Sequence, residues 1–246
     1  MLVLFTDFGL QGPYTGQVHA VLQQHAPGVP VINLFSDLPP FDIQAAACLL
    51  PAYAQGFPPD TVFVCVVDPG VGGARAGVVV QADGRWYVGP NEGLFAQLAR
   101  RARAIQCWRL PEPAARASAS FHGRDVFAPI AGRLARDGRY AGEELAAAEL
   151  DKPDWPDDLR RVVYIDRFGN AITGVRSTTV EPETVFNVYG QALRHARTFS
   201  AVKEGEAFWY ENSSGLVEFA VNRGRADTVL GLNVGLEFRI RSPDEA

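Results

Sequence analysis

The sequence predicts an α/β layered N-terminal domain with a mostly parallel sheet, followed by a smaller all-β domain. Three observations carry this reading. Up to about residue 150, strands apolar on both faces alternate with helices, as in a sheet covered on both sides. Residues 151–161, DKPDWPDDLRR, are rich in Pro and Asp without periodicity and read as a linker. Over 162–246 helical periodicity fades, and strand-like runs are joined by Gly- and Asn-rich turns, which suits a sandwich or barrel.

In chain order, LVLFTDFG is a short apolar strand ending in a polar turn. GPYTGQVHAVLQQHAPG is an amphipathic helix closed by Pro-Gly, and VPVINLF a second strand. DIQAAACLLPAYAQG is a helix in which Pro51 marks a kink or stop. TVFVCVVDPG is a third strand. AGVVVQADG and RWYVGPN form a hairpin, because Asp83-Gly84 is a strong turn pair. NEGLFAQLARRA is a helix, AIQCWRL a strand and DVFAPIAGRLARDG a helix. Beyond the linker, VVYIDRFGNAITGV, TVFNVYGQALRHARTF, EAFWYENSSGLVEFAVN and LGLNVGLEFRIRS are strand pairs and turns.

Composition narrows the function classes. The 246 residues are 47% apolar, ample for a packed core. The net charge is −5 with both signs dispersed, which argues against a nucleic-acid partner. Cys48, Cys65 and Cys107 sit in apolar contexts without metal-ligand or CxxC spacing and read as buried thiols of a reducing cytoplasm. The N-terminus lacks the features of a signal peptide, and no apolar run approaches the roughly 20 residues of a membrane helix. The expectation is a cytoplasmic protein with no membrane partner.

Ligands of open α/β sheets bind beyond the carboxyl ends of the strands. At those stations stand Asp7 of TDFG, Asp37 of SDLPPFD, Asp68 of VVDPGVGGAR, Asn91 of GPNEG, and His122 of FHGRD. A single Asp at a strand end is commonly a cap; recurrence along one edge favours a site. Asp125 itself reads as the N-terminal cap of the next helix, Arg124 is undecided, and His19, His25 and His195 are structural. Asp7-Phe8-Gly9 spells a kinase magnesium motif, but the chain has no room upstream for the rest of a kinase. Gly9, Gly12 and Gly16 do not have dinucleotide-binding spacing, and no P-loop is present. DPGVGGAR lets backbone approach something closely.

Taken together, TDFG, DLPPFD, VDPGVGG with a following Arg, FHGRDVFAP, DRFGNAITG and NSSGLVEFAVNRG resemble the S-adenosyl-L-methionine hydroxide adenosyltransferases, relatives of the adenosyl-fluoride and adenosyl-chloride synthases. The resemblance spans nearly the whole chain. It implies a barrel-like second domain, a homotrimer with sites between subunits, and hydrolysis of S-adenosylmethionine to adenosine and methionine. S-adenosylmethionine is then the substrate, and no cofactor or metal is implied. By motif, water activation falls on Asp68, Arg75 and His122, and ribose binding on Asp7. Asp166 matches the carboxylate that holds the methionine amino group. Phe168 and Asn170 match adenine contacts, Ser213 and Ser214 the methionine end, and the backbone near Arg223 approaches adenine. The DRFGN stretch is one residue shorter than its counterpart in the halogenating relatives.

The chemistry suits these residues. Attack at the ribose C5′ expels a neutral thioether, so no general acid is needed. The protein must supply a desolvated, aligned oxygen nucleophile. His122 suits a base, since imidazole titrates near pH ~6.5; Asp68 can fix its tautomer or hold the water, and Arg75 can stabilise hydroxide. The sequence leaves open which of the three takes the proton. One carboxylate at Asp7 can accept from both ribose hydroxyls. Phe41, Phe168 and Trp209 can stack on adenine or face the sulfonium, core packing being their alternative. Two rivals stand beside hydrolysis: a halogenase, opposed by the charge of Asp68 next to the nucleophile, and a non-catalytic binder that needs Asp7 and Asn170 but not His122. A metal-dependent hydrolase is weak with one site histidine.

Overall fold

The computed structural model describes residues 1–241. They form two compact units, Met1–Trp155 and a second beginning at Pro156. In the first, β1 (Leu2–Thr6), β2 (Val31–Phe35), β3 (Val62–Val66), β4 (Gly77–Ala82), β5 (Arg85–Pro90), β6 (Ile105–Arg109) and β7 (Glu143–Leu145) make one seven-stranded sheet of order β2-β1-β3-β5-β4-β6-β7. The helices are α1 (Tyr14–His25), α2 (Ile43–Ala54), α3 (Ala96–Arg101) and α4 (Ala128–Asp137).

Every residue of β1 and β3 is buried, because both faces of the sheet are covered. On one face Leu2, Leu4, Val62 and Val64 pack with Val18 and Leu22 of α1 and Ile130, Ala131 and Leu134 of α4. Each such side chain contributes about 1.5–3 kcal/mol when fully buried. On the other face Phe5 meets Phe35, which meets Tyr53 of α2, and Phe63 stacks on Tyr87.

The layered α/β class is as expected, but the sheet is mixed. β2-β1-β3-β5 run parallel, while β4, β6 and β7 are antiparallel to their neighbours. The cause is the Asp83-Gly84 turn: φ of 47° and 78° at its two residues closes a two-residue hairpin, which joins only antiparallel strands. α2 runs through Pro51 to Ala54, and Asp42 caps it by accepting from the Ala45 N–H at 2.9 Å. The helix read from NEGLFAQLARRA begins only at Ala96. The helix read from DVFAPIAGRLARDG opens with a π-helical turn, Gly123–Phe127, that starts two residues earlier. β7 had no alternating apolar signal, being the exposed-edge triplet EEL.

The segment read as a linker, residues 151–161, contains the boundary between the two units, and its first half is bonded to α3. Arg100 of α3 donates to Asp151 Oδ1 at 2.6 Å and to the carbonyls of Lys152 and Trp155 at 2.6 and 2.8 Å. Leu159 already opens a strand. The segment lacks periodicity because an arginine, not a helix or ladder, satisfies its carbonyls.

The second unit has two antiparallel sheets. β8 (Leu159–Ile165), β9 (Ala171–Arg176), β12 (Ala207–Glu211) and β13 (Leu216–Val221) align as β12-β13-β9-β8; β10 (Val185–Val188), β11 (Gln191–Leu193) and β14 (Arg239–Arg241) align as β11-β10-β14. Its core centres on Phe186, whose ring lies 5.3–5.4 Å from those of Trp209, Phe219 and Phe238. Trp209 is therefore a core residue, buried with its indole N–H on the Thr184 carbonyl at 2.8 Å, and is not available to stack on a ligand. The five-residue α5 (Ala226–Leu230) is too short to register as helical periodicity.

Candidate active site

β1 and β3 are parallel neighbours with Thr6 opposite Val66, so the residues that follow them emerge side by side at one sheet edge. Asp7 and Asp68 stand there, with the Asp7 N–H on the Val66 carbonyl at 3.3 Å. The loop after β3 folds back through Gly70–Gly73 and returns Arg75 to Asp68. The contact is a two-pronged fork: Nε donates to Oδ1 at 2.8 Å and Nη2 to Oδ2. Both side chains are about 95% buried. Arg75 also lies over the Phe127 ring at 5.3 Å, contributed by the π-helical turn.

The same turn begins just after His122, and Arg75 Nη2 lies 2.8 Å from His122 Nδ1. A guanidinium has donors only, so Nδ1 must accept. Neutral His122 therefore carries its proton on Nε2. Burial and the Arg75 charge both hold the imidazole below its ordinary pKa, outweighing Asp68 and Asp125. Protonating Nδ1 would set N–H against N–H. The buried trio is thus one bonded unit: Asp68 fixes Arg75, Arg75 fixes His122, and His122 offers a donor at Nε2. This differs from the expectation that His122 suits the base. It also revises the case against a halide, because the Asp68 charge is compensated by Arg75 at bonding distance.

Asp7 is pushed above the usual carboxylate range, first by burial and least by Asp68, with the Phe41 N–H holding it down. That N–H donates to Asp7 Oδ2 at 3.1 Å. Phe41 has φ of 64° and is 74% exposed, so the core-packing alternative does not hold for it. The remaining stations do not join: Asp37 is exposed, and the Asn91 amide donates to the Glu149 carbonyl at 3.4 Å. Asp125 does not cap α4. It lies inside the π-helical turn, accepts from the Ser118 N–H at 2.8 Å, and takes Arg124, which also reaches Gln17. It pins the loop before His122. His122 also lies farther from a strand end than the other stations: a twelve-residue segment separates it from β6, and β7 follows later.

In the second unit, Asp166 and Asn170 close the β8–β9 turn on each other. Asp166 Oδ1 accepts from the Asn170 N–H at 2.9 Å and Oδ2 from its side-chain amide at 3.3 Å. Phe168, at the tip, is 75% exposed. Ser213 and Ser214 occupy the β12–β13 turn, where Asn212 Oδ1 accepts from the N–H groups of Ser214 and Leu216 at 2.9 and 3.0 Å. Arg223 follows β13 with φ of 54°, its side chain on Glu204. The motif reading passed over Glu218, an acid within LVEFAV whose six residues are all buried. Its signal was legible: one carboxylate at an inward position of an apolar strand.

Among known proteins, the SAM hydroxide adenosyltransferase N-terminal domain matches residues 2–143 and its C-terminal domain residues 160–239. An (R)-S-adenosyl-L-methionine hydrolase from Thermus thermophilus is 41% identical, over 96% of this chain and 97% of that protein. A fluorinase from Nocardia brasiliensis is 21% identical over 98% of this chain and 96% of its own. The crystal structure of an uncharacterized conserved protein from Thermotoga maritima superposes with a TM-score of 0.87 at 28% identity, covering 98% of this chain and all of that one. With both domains matched in order, this chain belongs to the SAM hydroxide adenosyltransferase family.

Proposed function

We propose that this chain hydrolyses S-adenosyl-L-methionine to adenosine and L-methionine by attack of water at the ribose C5′. The observation that carries this is the buried Asp68–Arg75–His122 unit at the edge of β1 and β3, where Asp7 also stands. The O–C5′ bond forms as the C5′–S bond breaks, and the electron pair passes to sulfur and neutralises the sulfonium. His122 Nε2–H donates to the incoming oxygen. Asp68 receives the proton, because each of its oxygens accepts once from Arg75 and keeps a lone pair. Asp7 binds the ribose hydroxyls, Phe41 and Phe168 flank the ligand, and Asp166, Asn170, Ser213, Ser214 and the Arg223 backbone hold methionine and adenine. The hydrolase relatives are named for the (R) form of the substrate, and the same form is expected here.

The test is turnover in heavy-oxygen water. Label is expected at the 5′-hydroxyl of adenosine, with one methionine released per adenosine. Unlabelled adenosine, or binding without methionine release, would sink the reading; 5′-halo-adenosine formed with halide present would favour the halogenase.

A further inference from the structure

Glu218 is a buried acid, 4% exposed, that the reaction above does not use. Burial pushes it above the ordinary carboxyl range, against the pull of its hydrogen bonds. Tyr210 OH donates to Oε1 at 2.5 Å and the Asn212 amide to Oε2 at 2.9 Å. The Asn170 side chain adds a weaker pull of the same kind. The register explains the convergence. Glu218 lies opposite Tyr210 on β12 and Ile172 on β9, so Asn170, two residues before Ile172, shares its face.

Asn170 thus stands between two carboxylates. Its amide nitrogen donates to Asp166 Oδ2 at 3.3 Å, which leaves its second N–H for the face it shares with Glu218. Turning the amide over would set its carbonyl against both acids. The carbonyl Oδ1 receives no donor among the described residues, and it is the atom left for a ligand. Asn212 cannot turn either, since its oxygen holds two backbone N–H groups.

We propose that Glu218 is a positioning residue that locks the Asn170 amide with its carbonyl toward the base, so that the site selects a 6-aminopurine over a 6-oxopurine. The amino group of adenine donates to a fixed acceptor, whereas the oxygen of hypoxanthine would meet it lone pair to lone pair. This rests on reading Asn170 as the adenine contact.

The test is equilibrium binding of adenosine and inosine by calorimetry, which needs no turnover. Wild type is expected to prefer adenosine by on the order of 10²-fold, the cost of leaving one buried acceptor unpaired. Glu218→Gln, a near-isostere with a weaker neutral acceptor, is expected to narrow that ratio about threefold. Glu218→Leu, which removes the acceptor, is expected to narrow it about tenfold or more. In an Asn170→Ala background neither change should narrow it further. Equal binding of both nucleosides by wild type overturns the proposal. So does an unchanged ratio in a folded Glu218 variant, or the same narrowing without Asn170. If Glu218→Leu does not fold, Glu218→Gln decides alone. Wild type that discriminates as stated yet releases no methionine from S-adenosylmethionine would refute the hydrolase reading and leave this one standing.

Discussion

His122 carries the sharpest consequence at the scale of single residues. If it serves as a donor through Nε2, a side chain with an amide N–H in that place retains part of the function, whereas a base cannot be so replaced. His122→Ala is expected to lower kcat by about 10²–10³-fold, the range for losing one positioned donor at the reacting oxygen. His122→Gln should recover roughly tenfold of that loss. Equal loss in both variants would return His122 to the base role. The pH dependence has a fixed sign. The folded-state pKa lies below the ordinary 6.5, so above pH ~6.5 folded and unfolded chains bind equal protons. As pH falls from there toward the folded value, the unfolded state takes up the proton first and stability declines. Thermal unfolding across that window should show a shallower decline in His122→Gln than in wild type; a parallel decline would mean His122 is not its source. The FHGRD motif made His122 legible, but its tautomer was not, because that is set by Arg75, 47 residues away in sequence.

Among the elements, the loop from Asp68 to Arg75 and the segment leading to His122 position the chemistry jointly. Gly72 has φ of +79°, and a Cβ there would stand 2.5 Å from the Ala119 carbonyl oxygen, a backbone atom that cannot swing away. Ala119 lies three residues before His122, and Ser118 beside it is pinned by Asp125. Any relief must therefore part the two segments and lengthen the Arg75–His122 bond. Gly72→Ala is expected to lower kcat at least 10²-fold, as misplacement of about 1 Å can. The accompanying loss of stability should be about 1–3 kcal/mol, or a Tm lower by roughly 2–12 °C. Near-wild-type turnover in this variant would show that the loop does not set the geometry. The glycine density of DPGVGG announced close approach by backbone. What it approaches could not be read, since the contact joins two loops with no common periodicity. Regular elements were legible for the opposite reason: strands of the covered sheet are unbroken apolar runs, and helices repeat every three to four residues. The π-helical turn and α5, without such a repeat, were not.

For the whole molecule, the resemblance implies a trimer with sites between subunits, and we propose the same assembly here. Each unit exposes large apolar side chains next to its candidate residues: Leu10, Tyr14 and Phe41 in the first, Phe168 in the second. Exposure of this kind is scattered over both units, since Met1, Ile32, Tyr189, Val229 and Val234 share it, but Phe41 and Phe168 are also assigned to the ligand, as on a surface completed by another copy. Sedimentation equilibrium is expected to return three times the 26.7 kDa chain mass. Mixing gives the decisive test. His122→Ala disables the first unit's contribution and Asn170→Ala weakens the second's, so below saturation each variant alone turns over far more slowly than wild type. If every site joins the first unit of one chain to the second unit of another, random mixed trimers contain about a quarter intact sites. Co-refolding the two variants in equal amounts should then restore about a quarter of wild-type turnover. If each chain holds its own complete site, no mixture contains an intact one and activity stays at the level of the separate variants. Recovery near zero, or a fully active species of single-chain mass, would therefore exclude the shared site while leaving the hydrolytic chemistry of Asp68, Arg75 and His122 untouched.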